Sequence, residues 1–215
     1  MATPKERIRY TVEEYLAMER VSDIRHEYLD GYVYAMAGES ESHGIITSNL
    51  VIEIGTRLKG SGCRTFDKDT KVQSGEVPKT KSSSQPKDLF SYPDVLVVCG
   101  ERKYLDEYKD VLINPTVIIE VLSPSTGEFD RGEKFIRYRT YLASLQDYLV
   151  VAQDKPLIER YSRQENGLWV IAETISDLAG TIHLPSINCA IPLTEIYEGV
   201  VFSDAQKEEP VAEES

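Results

Sequence analysis

The chain has 215 residues, of which 41% are apolar and 28% charged, with a formal net charge of −12. That is the composition of a water-soluble globular protein, long enough for one sizeable core. Its apolar runs reach about five residues, against the roughly 20 of a membrane-spanning helix, and its acidity repels nucleic acid and anionic lipid unless a local basic patch or a metal ion offsets it.

From Met1 to Arg9 three basic residues appear with no apolar stretch after them, which argues against a secretory leader. "YTVEEYLAME" reads as a short helix, with Thr11 and Glu14 spaced as a capping box. In "HEYLDGYVYAMAG" the Asp30-Gly31 pair marks a turn between two short strands. "HGIITSNLVIEIGTRLKG" is helical, since Ile46, Leu50, Ile54 and Leu58 recur at four-residue steps. "CRTFDKDTKVQSG" is expected to be a strand, and Lys79–Lys87 a Ser- and Lys-rich surface loop. "DVLVVC", "TVIIEVLS" and "DYLVVA" are three apolar strands. The connector after the first of them is expected to hold at most one helical turn. Between the last two lies a helix, "EFDRGEKFIRYRTYLAS", with Phe129, Phe135 or Ile136, Arg139 and Leu142 on its packing side. "LIERYSR" and "LWVIAET" form a hairpin across Gln164–Gly167, and the segment near 182–192 is expected to extend the sheet as an exposed edge. A dozen residues from Asp204 form an acidic tail. The order predicts an α/β (α+β) fold, a mixed central sheet with a βα crossover and an antiparallel extension, in one domain spanning residues 1–203.

Three cysteines, Cys63, Cys99 and Cys189, are widely spaced and odd in number. They suggest neither a disulfide framework nor a Cys-x-x-Cys metal site, and fit a reducing cytoplasm.

The chemistry concentrates where acids interrupt apolar runs. Asp94 heads "DVLVV" and Glu120 sits inside "VIIEV". On neighbouring strands, both carboxylates can converge over one end of the sheet. Such an oxygen-rich site suits Mg²⁺ or Mn²⁺, with a backbone carbonyl such as that of Val121 as a further oxygen. The alternative is that each acid is satisfied by a nearby Lys, Arg or backbone N–H. Lys134 lies four residues after Asp130, on one helix face. It can stabilise a phosphate or assist a water, or it can be an ordinary surface ion pair. Glu27 opens the first strand, and His43 precedes a helix as a base, a cap or a packed ring. Zinc-hydrolase, serine-hydrolase and dinucleotide-loop patterns are absent from the sequence.

"YPDVLVV", "TVIIEVLSPST", "DRGEKFIRY" and "QDYLVV", together with "HEYLDGYVYAMAGESESHGIITSNL", resemble the Uma2 family, formerly domain of unknown function 820. The resemblance runs from about Tyr10 to Phe202. It implies the restriction-endonuclease-like fold of the PD-(D/E)xK superfamily. Pro93-Asp94 matches the PD element and Glu120 the following acid. The lysine usually found two residues later is Leu122 here, and Lys134 on the next helix fits its role. The resemblance implies that Glu27 closes a metal site with Asp94, Glu120 and Val121. Asp130, His43, Ser123 and Gln146 are secondary candidates. The implied function is Mg²⁺- or Mn²⁺-dependent hydrolysis of phosphodiester bonds in DNA, with a homodimer or a further protein partner compatible and no membrane. A catalytically inactive binding or scaffold protein on the same fold is the alternative.

Overall fold

Local chemistry sets the first elements of the computed structural model, which describes residues 8–36, 38–75 and 87–202. The acidic tail, and the Lys79–Lys87 loop up to residue 86, lie outside the described residues. Helix α1 (Val12–Glu19) starts on the expected capping box: the Thr11 hydroxyl accepts from the Glu14 N–H, and the Glu14 carboxylate accepts from the Thr11 N–H. Strands β1 (His26–Leu29) and β2 (Tyr32–Ala35) form a hairpin whose turn residues Asp30 and Gly31 have φ of 50° and 94°. A two-residue turn with both φ positive matches the twist of the strands, and glycine adopts it without steric cost. Helix α2 (Glu41–Arg57) is capped by Ser40 and buries Ile46, Leu50 and Ile54.

The expected strand over 63–75 is instead two. A turn at 68–70 separates β3 (Cys63–Asp67) from β4 (Lys71–Gly75), and the two enter different sheets. Strands β5 (Asp88–Ser91) and β6 (Val95–Cys99) follow. The connector after β6 carries a short strand, β7 (Val111–Leu112), where a helical turn was expected. Strand β8 (Val117–Leu122) leads into a helix in three parts: α3 (Gly127–Phe129), a π turn (Asp130–Lys134) and α4 (Phe135–Tyr141). Then come β9 (Asp147–Ala152), β10 (Ile158–Arg163), β11 (Trp169–Ile175), β12 (Thr181–Leu184), β13 (Cys189–Pro192) and α5 (Leu193–Ile196).

A six-stranded sheet runs β11-β10-β9-β8-β6-β3, and a five-stranded sheet runs β2-β1-β5-β4-β7. In the first, β8 and β9 are parallel, joined by the three-part helix, while their other neighbours are antiparallel. Both faces of the central strands are covered, which is why they read as continuous apolar runs. Val95, Val97, Val117, Ile119 and Val121 pack with α2 on one side. Leu96, Val98, Ile118, Tyr148 and Val150 pack with Phe135, Tyr138 and Leu142 on the other. Alternation along β8 therefore aims Glu120, like Ile118, at the helix that follows.

Two expectations are corrected here. The segment near 182–192 does not extend the large sheet. β12 and β13 pair only with each other, and Ile182, Leu184 and Ile191 are fully buried. Asn188, at φ 49° after a 3-10 turn, folds this hairpin back onto the core. Second, Cys63 and Cys99 are not separate thiols. Register places them opposite each other on β3 and β6, where they form a disulfide, leaving Cys189 as the free, buried cysteine. Among the described residues no helix is long and apolar enough to cross a membrane.

Candidate active site

Four elements bring the chemistry together. Asp94 stands just ahead of β6, and its Oδ2 accepts the Val121 N–H at 2.7 Å. That bond locks the acid at the end of β6 to the strand that carries Glu120. Glu120, 3% exposed, faces the crossover helix. The Lys134 ammonium lies 3.0 Å from Glu120 Oε1, 3.3 Å from Asp130 Oδ1 and 3.4 Å from Glu27 Oε1. Glu27 reaches this point from β1 in the other sheet and accepts the Tyr92 N–H at 3.3 Å.

The π turn explains why so many residues of one helix point inward. Asp130, Lys134, Tyr138 and Leu142 follow at four-residue steps and all are buried. In a regular helix each such step overshoots one turn by about 40°, so the stripe would drift off the sheet. A π turn accommodates one more residue per turn and takes up the drift. The packing side is thus Phe135, Tyr138 and Leu142, while Ile136 and Arg139 are exposed.

The second layer is polar and connected. Tyr138 donates to Glu120 Oε1 at 3.2 Å, and its hydroxyl is 2.7 Å from Ser91 Oγ. His43 Nε2 lies 3.3 Å from Asp94 Oδ2, and Nδ1 lies 3.0 Å from Glu39 Oε2. Glu39 is also ion-paired with Lys68. Burial works against a charged His43, but Asp94 and Glu39 outweigh it and hold the imidazole above its ordinary value. Desolvation raises Glu120 well above the usual carboxylate range, with Asp130 and Asp94 adding to the rise against Lys134. Lys134 is also raised, because the surrounding acids overcome its burial. The two shifts agree physically: one ammonium cannot neutralise four nearby acids, so it keeps its own proton while Glu120 gains affinity for one. A lysine so held is a fixed positive charge and a donor, and a poor base.

Of the residues singled out from sequence, Glu27, Asp94, Glu120, Val121, Asp130, Lys134 and His43 meet here. Ser123 sits just past β8, bonded to Ser125 and Thr126. Gln146 does not join them. It precedes β9 at the far end, where Asp147 pairs with Val117. Position 153, just past the other end of β9, reaches the site end instead: Gln153 bonds Ser40, the α2 cap. Tyr138, Ser91, Glu39 and Gln153 were not anticipated. Tyr138 was within reach, being one step beyond Lys134 on the same stripe.

Among the described residues no three Asp, Glu, His or Cys side chains close around an ion by themselves, since Lys134 takes the middle of the cluster. The donor set is nonetheless hard, oxygen-rich and in excess of its cations, which suits Mg²⁺ or Mn²⁺.

The family model of Uma2, described as "Putative restriction endonuclease", matches residues 12–193. The chain belongs to the Uma2 family. Glu27, Asp94, Glu120 and Lys134 all fall inside the Uma2 match. Two proteins of Synechocystis sp. (strain ATCC 27184 / PCC 6803 / Kazusa) are similar to it. "Uncharacterized protein slr1290" is 33% identical over 190 residues, 88% of this chain and 92% of that protein. "Uncharacterized protein sll1609" is 31% identical over 173 residues, 79% and 89% respectively. A crystal structure from Anabaena variabilis ATCC 29413, described as "a putative nuclease belonging to DUF820", shares the fold, with a TM-score of 0.68 at 18% identity. The likeness covers 89% of this chain and 99% of that one. The architecture is the restriction-endonuclease-like mixed sheet flanked by helices.

Proposed function

We propose that this Uma2 protein is a divalent-metal-dependent nuclease that hydrolyses phosphodiester bonds in DNA. The observation that carries the reading is the cluster of buried Glu120, Asp130 and Lys134 with half-buried Glu27, and Asp94 tied to the adjoining backbone. Asp94, Glu120 and Glu27, with the Val121 carbonyl, would hold Mg²⁺ or Mn²⁺. The ion, when bound, would polarise the scissile phosphate and acidify a water. The chain's own part is positioning and charge. Lys134, kept protonated by its acids, supplies a preorganised positive charge to the phosphate oxygens. Tyr138 and Ser91 fix the Glu120 carboxylate. His43 and the Val121 N–H both hold Asp94 through its Oδ2.

The experiment compares wild type with Asp94→Asn, Glu120→Gln and Lys134→Ala. Substrates are supercoiled, linear and single-stranded DNA and RNA, each with Mg²⁺ or Mn²⁺ at low salt. Lys134→Ala is expected to lose roughly 10²- to 10³-fold in cleavage rate, the range for one preorganised donor, while keeping Mn²⁺ binding by calorimetry. Equal cleavage by wild type and Lys134→Ala removes the lysine from the reaction. A second reading, an inactive scaffold, is favoured by the ammonium at the centre of the acids, an arrangement that also suits a purely structural ion cluster. Its signature is no cleavage of any substrate together with no stabilisation by either metal.

A further inference from the structure

Glu27 is the acid that joins the cluster from the five-stranded sheet, on β1. It is held less closely than its neighbours. It stands 3.4 Å from Lys134 and 3.3 Å from the Tyr92 nitrogen, against 3.0 Å for Glu120 from Lys134 and 2.7 Å for Asp94 from the Val121 nitrogen. Its place therefore depends on the backbone that carries it. Alternation along β1 turns His26 to the face opposite Glu27, the face on which Tyr15 of α1 packs with Tyr28 and Phe90. There α1 grips His26 at both of its backbone groups. The Tyr15 hydroxyl donates to the His26 carbonyl at 2.7 Å, and Glu19 Oε1 accepts the His26 N–H at 3.0 Å. Glu19 Oε2 also lies 3.0 Å from His26 Nδ1. The same Glu19 Oε1 accepts the Tyr92 O–H at 2.7 Å, and Tyr92 is the residue whose N–H holds the Glu27 carboxylate. Burial and the bond to Glu19 push the Tyr92 phenol above its ordinary range, so it stays a donor. Bonds thus close a ring from Glu19 through His26, Glu27 and Tyr92 back to Glu19.

We propose that Glu19 and Tyr92 are positioning residues for Glu27, a buried clamp on α1 and just past β5 that sets the third carboxylate where it can share a divalent ion with Asp94 and Glu120. The inference rests on the metal-binding reading of the cluster. Glu19 is 8% exposed, and burying a carboxylate costs several kcal/mol unless donors satisfy it. Its donors belong to the two residues that bear on Glu27: the one before it on β1, and the one that grips its carboxylate. A ligand that crosses between two sheets gains from such a brace, because ligating carboxylates are themselves hydrogen-bonded and their outer partners tune metal affinity. Asp94 has an equivalent brace in His43 and Val121, and Glu120 has one in Tyr138. The clamp supplies it for the acid that arrives from the other sheet.

The test is a double-mutant cycle read by Mn²⁺ calorimetry, with folding followed by circular dichroism. Tyr92→Phe removes one hydroxyl and keeps the ring and the backbone. It is expected to raise the Mn²⁺ Kd roughly 10-fold, the lower end of the range for an outer partner of a metal ligand. Glu27→Gln keeps Asp94 and Glu120 and titrates at higher Mn²⁺. In that background, where the positioned ligand is already gone, Tyr92→Phe should change the Kd less than about twofold, since the cycle isolates what the two residues do together. Glu19→Gln, whose amide oxygen can still accept, is carried through the same cycle. It should give the same pattern, and it decides the matter if Tyr92→Phe does not fold. An unchanged Kd, or an equal loss with and without Glu27, overturns the clamp, as does loss of the fold in both variants. Absence of Mn²⁺ binding by wild type overturns the metal-dependent reading and the clamp with it, whereas binding by wild type without these differences overturns the clamp alone.

Discussion

Lys134 is 5% exposed and stands within 3.4 Å of three carboxylates, so its removal should cost far more stability than the removal of one acid. Lys134→Met fits the space but leaves Glu27, Glu120 and Asp130 close together without a counter-charge. Breaking a buried ion cluster in this way costs about 3–5 kcal/mol. Glu120→Gln leaves the ammonium with two acids, and the amide oxygen can still accept from Lys134 and Tyr138. Its stability in metal-free buffer should lie within about 1 kcal/mol of wild type, because one of several crowded negative charges has gone. Urea denaturation midpoints of the two variants check this, and equal losses would mean that Glu120 and Lys134 form an isolated pair. The acids and the lysine were legible in the sequence because they break local pattern: charges inside apolar strands, and a lysine one helical turn from an acid. Their hydroxyl and imidazole supports were less legible. Ser91 reaches Glu120 only through Tyr138, from a strand in the other sheet, and Glu39 reaches Asp94 only through His43. The disulfide was hidden for the same reason, since it depends on the register of two strands 36 residues apart.

The crossover from β8 to β9 is the element on which the site depends, and its π turn contains a glycine. Gly132 has no positive φ, and a Cβ placed on it meets nothing within 4 Å. Glycine's freedom is therefore an entropic burden here and not a conformational need. Gly132→Ala should stabilise the protein by about 0.5–1 kcal/mol, a rise of roughly 1–4 °C in Tm at this chain length. The Lys134 contacts lie on the buried stripe, so cleavage should change little. A lowered Tm would show that the turn itself requires glycine. At this scale the sequence carried most of the fold. Capping, the Asp-Gly turn, α2 and the three apolar strands follow from short-range pattern. The division of 63–75 between two sheets does not, because residues 68–70 lack a proline or glycine to announce the break. The β12–β13 hairpin was misread because its two prolines suggest an edge, whereas Asn188 turns the segment inward.

At the scale of the whole molecule the charge is −12, and among the described residues the cations near the site do not form a free basic face. Cations around the cluster are engaged by acids: Lys68 by Glu39, Arg25 by Asp69, Arg131 by Glu159, and Arg137 by Asp30 and Glu133. Proteins that grip DNA through 6–10 phosphate contacts release as many counterions, and their affinity collapses as salt rises. Here such release should be small, with affinity coming chiefly from a bound divalent ion. For a single strand the slope of log K against log salt is about −0.7 per neutralised phosphate. Two or three contacts then give a slope of roughly −2, measured by anisotropy of a labelled oligodeoxynucleotide at constant Ca²⁺ between about 50 and 200 mM salt. A slope steeper than about −5 would require seven or more phosphate contacts. The matched ion pairs around the site would then have to open and hand their cations to the nucleic acid. A shallow slope combined with loss of binding when the Ca²⁺ is chelated would place the affinity in the ion, in keeping with cations that are already paired with acids around the site.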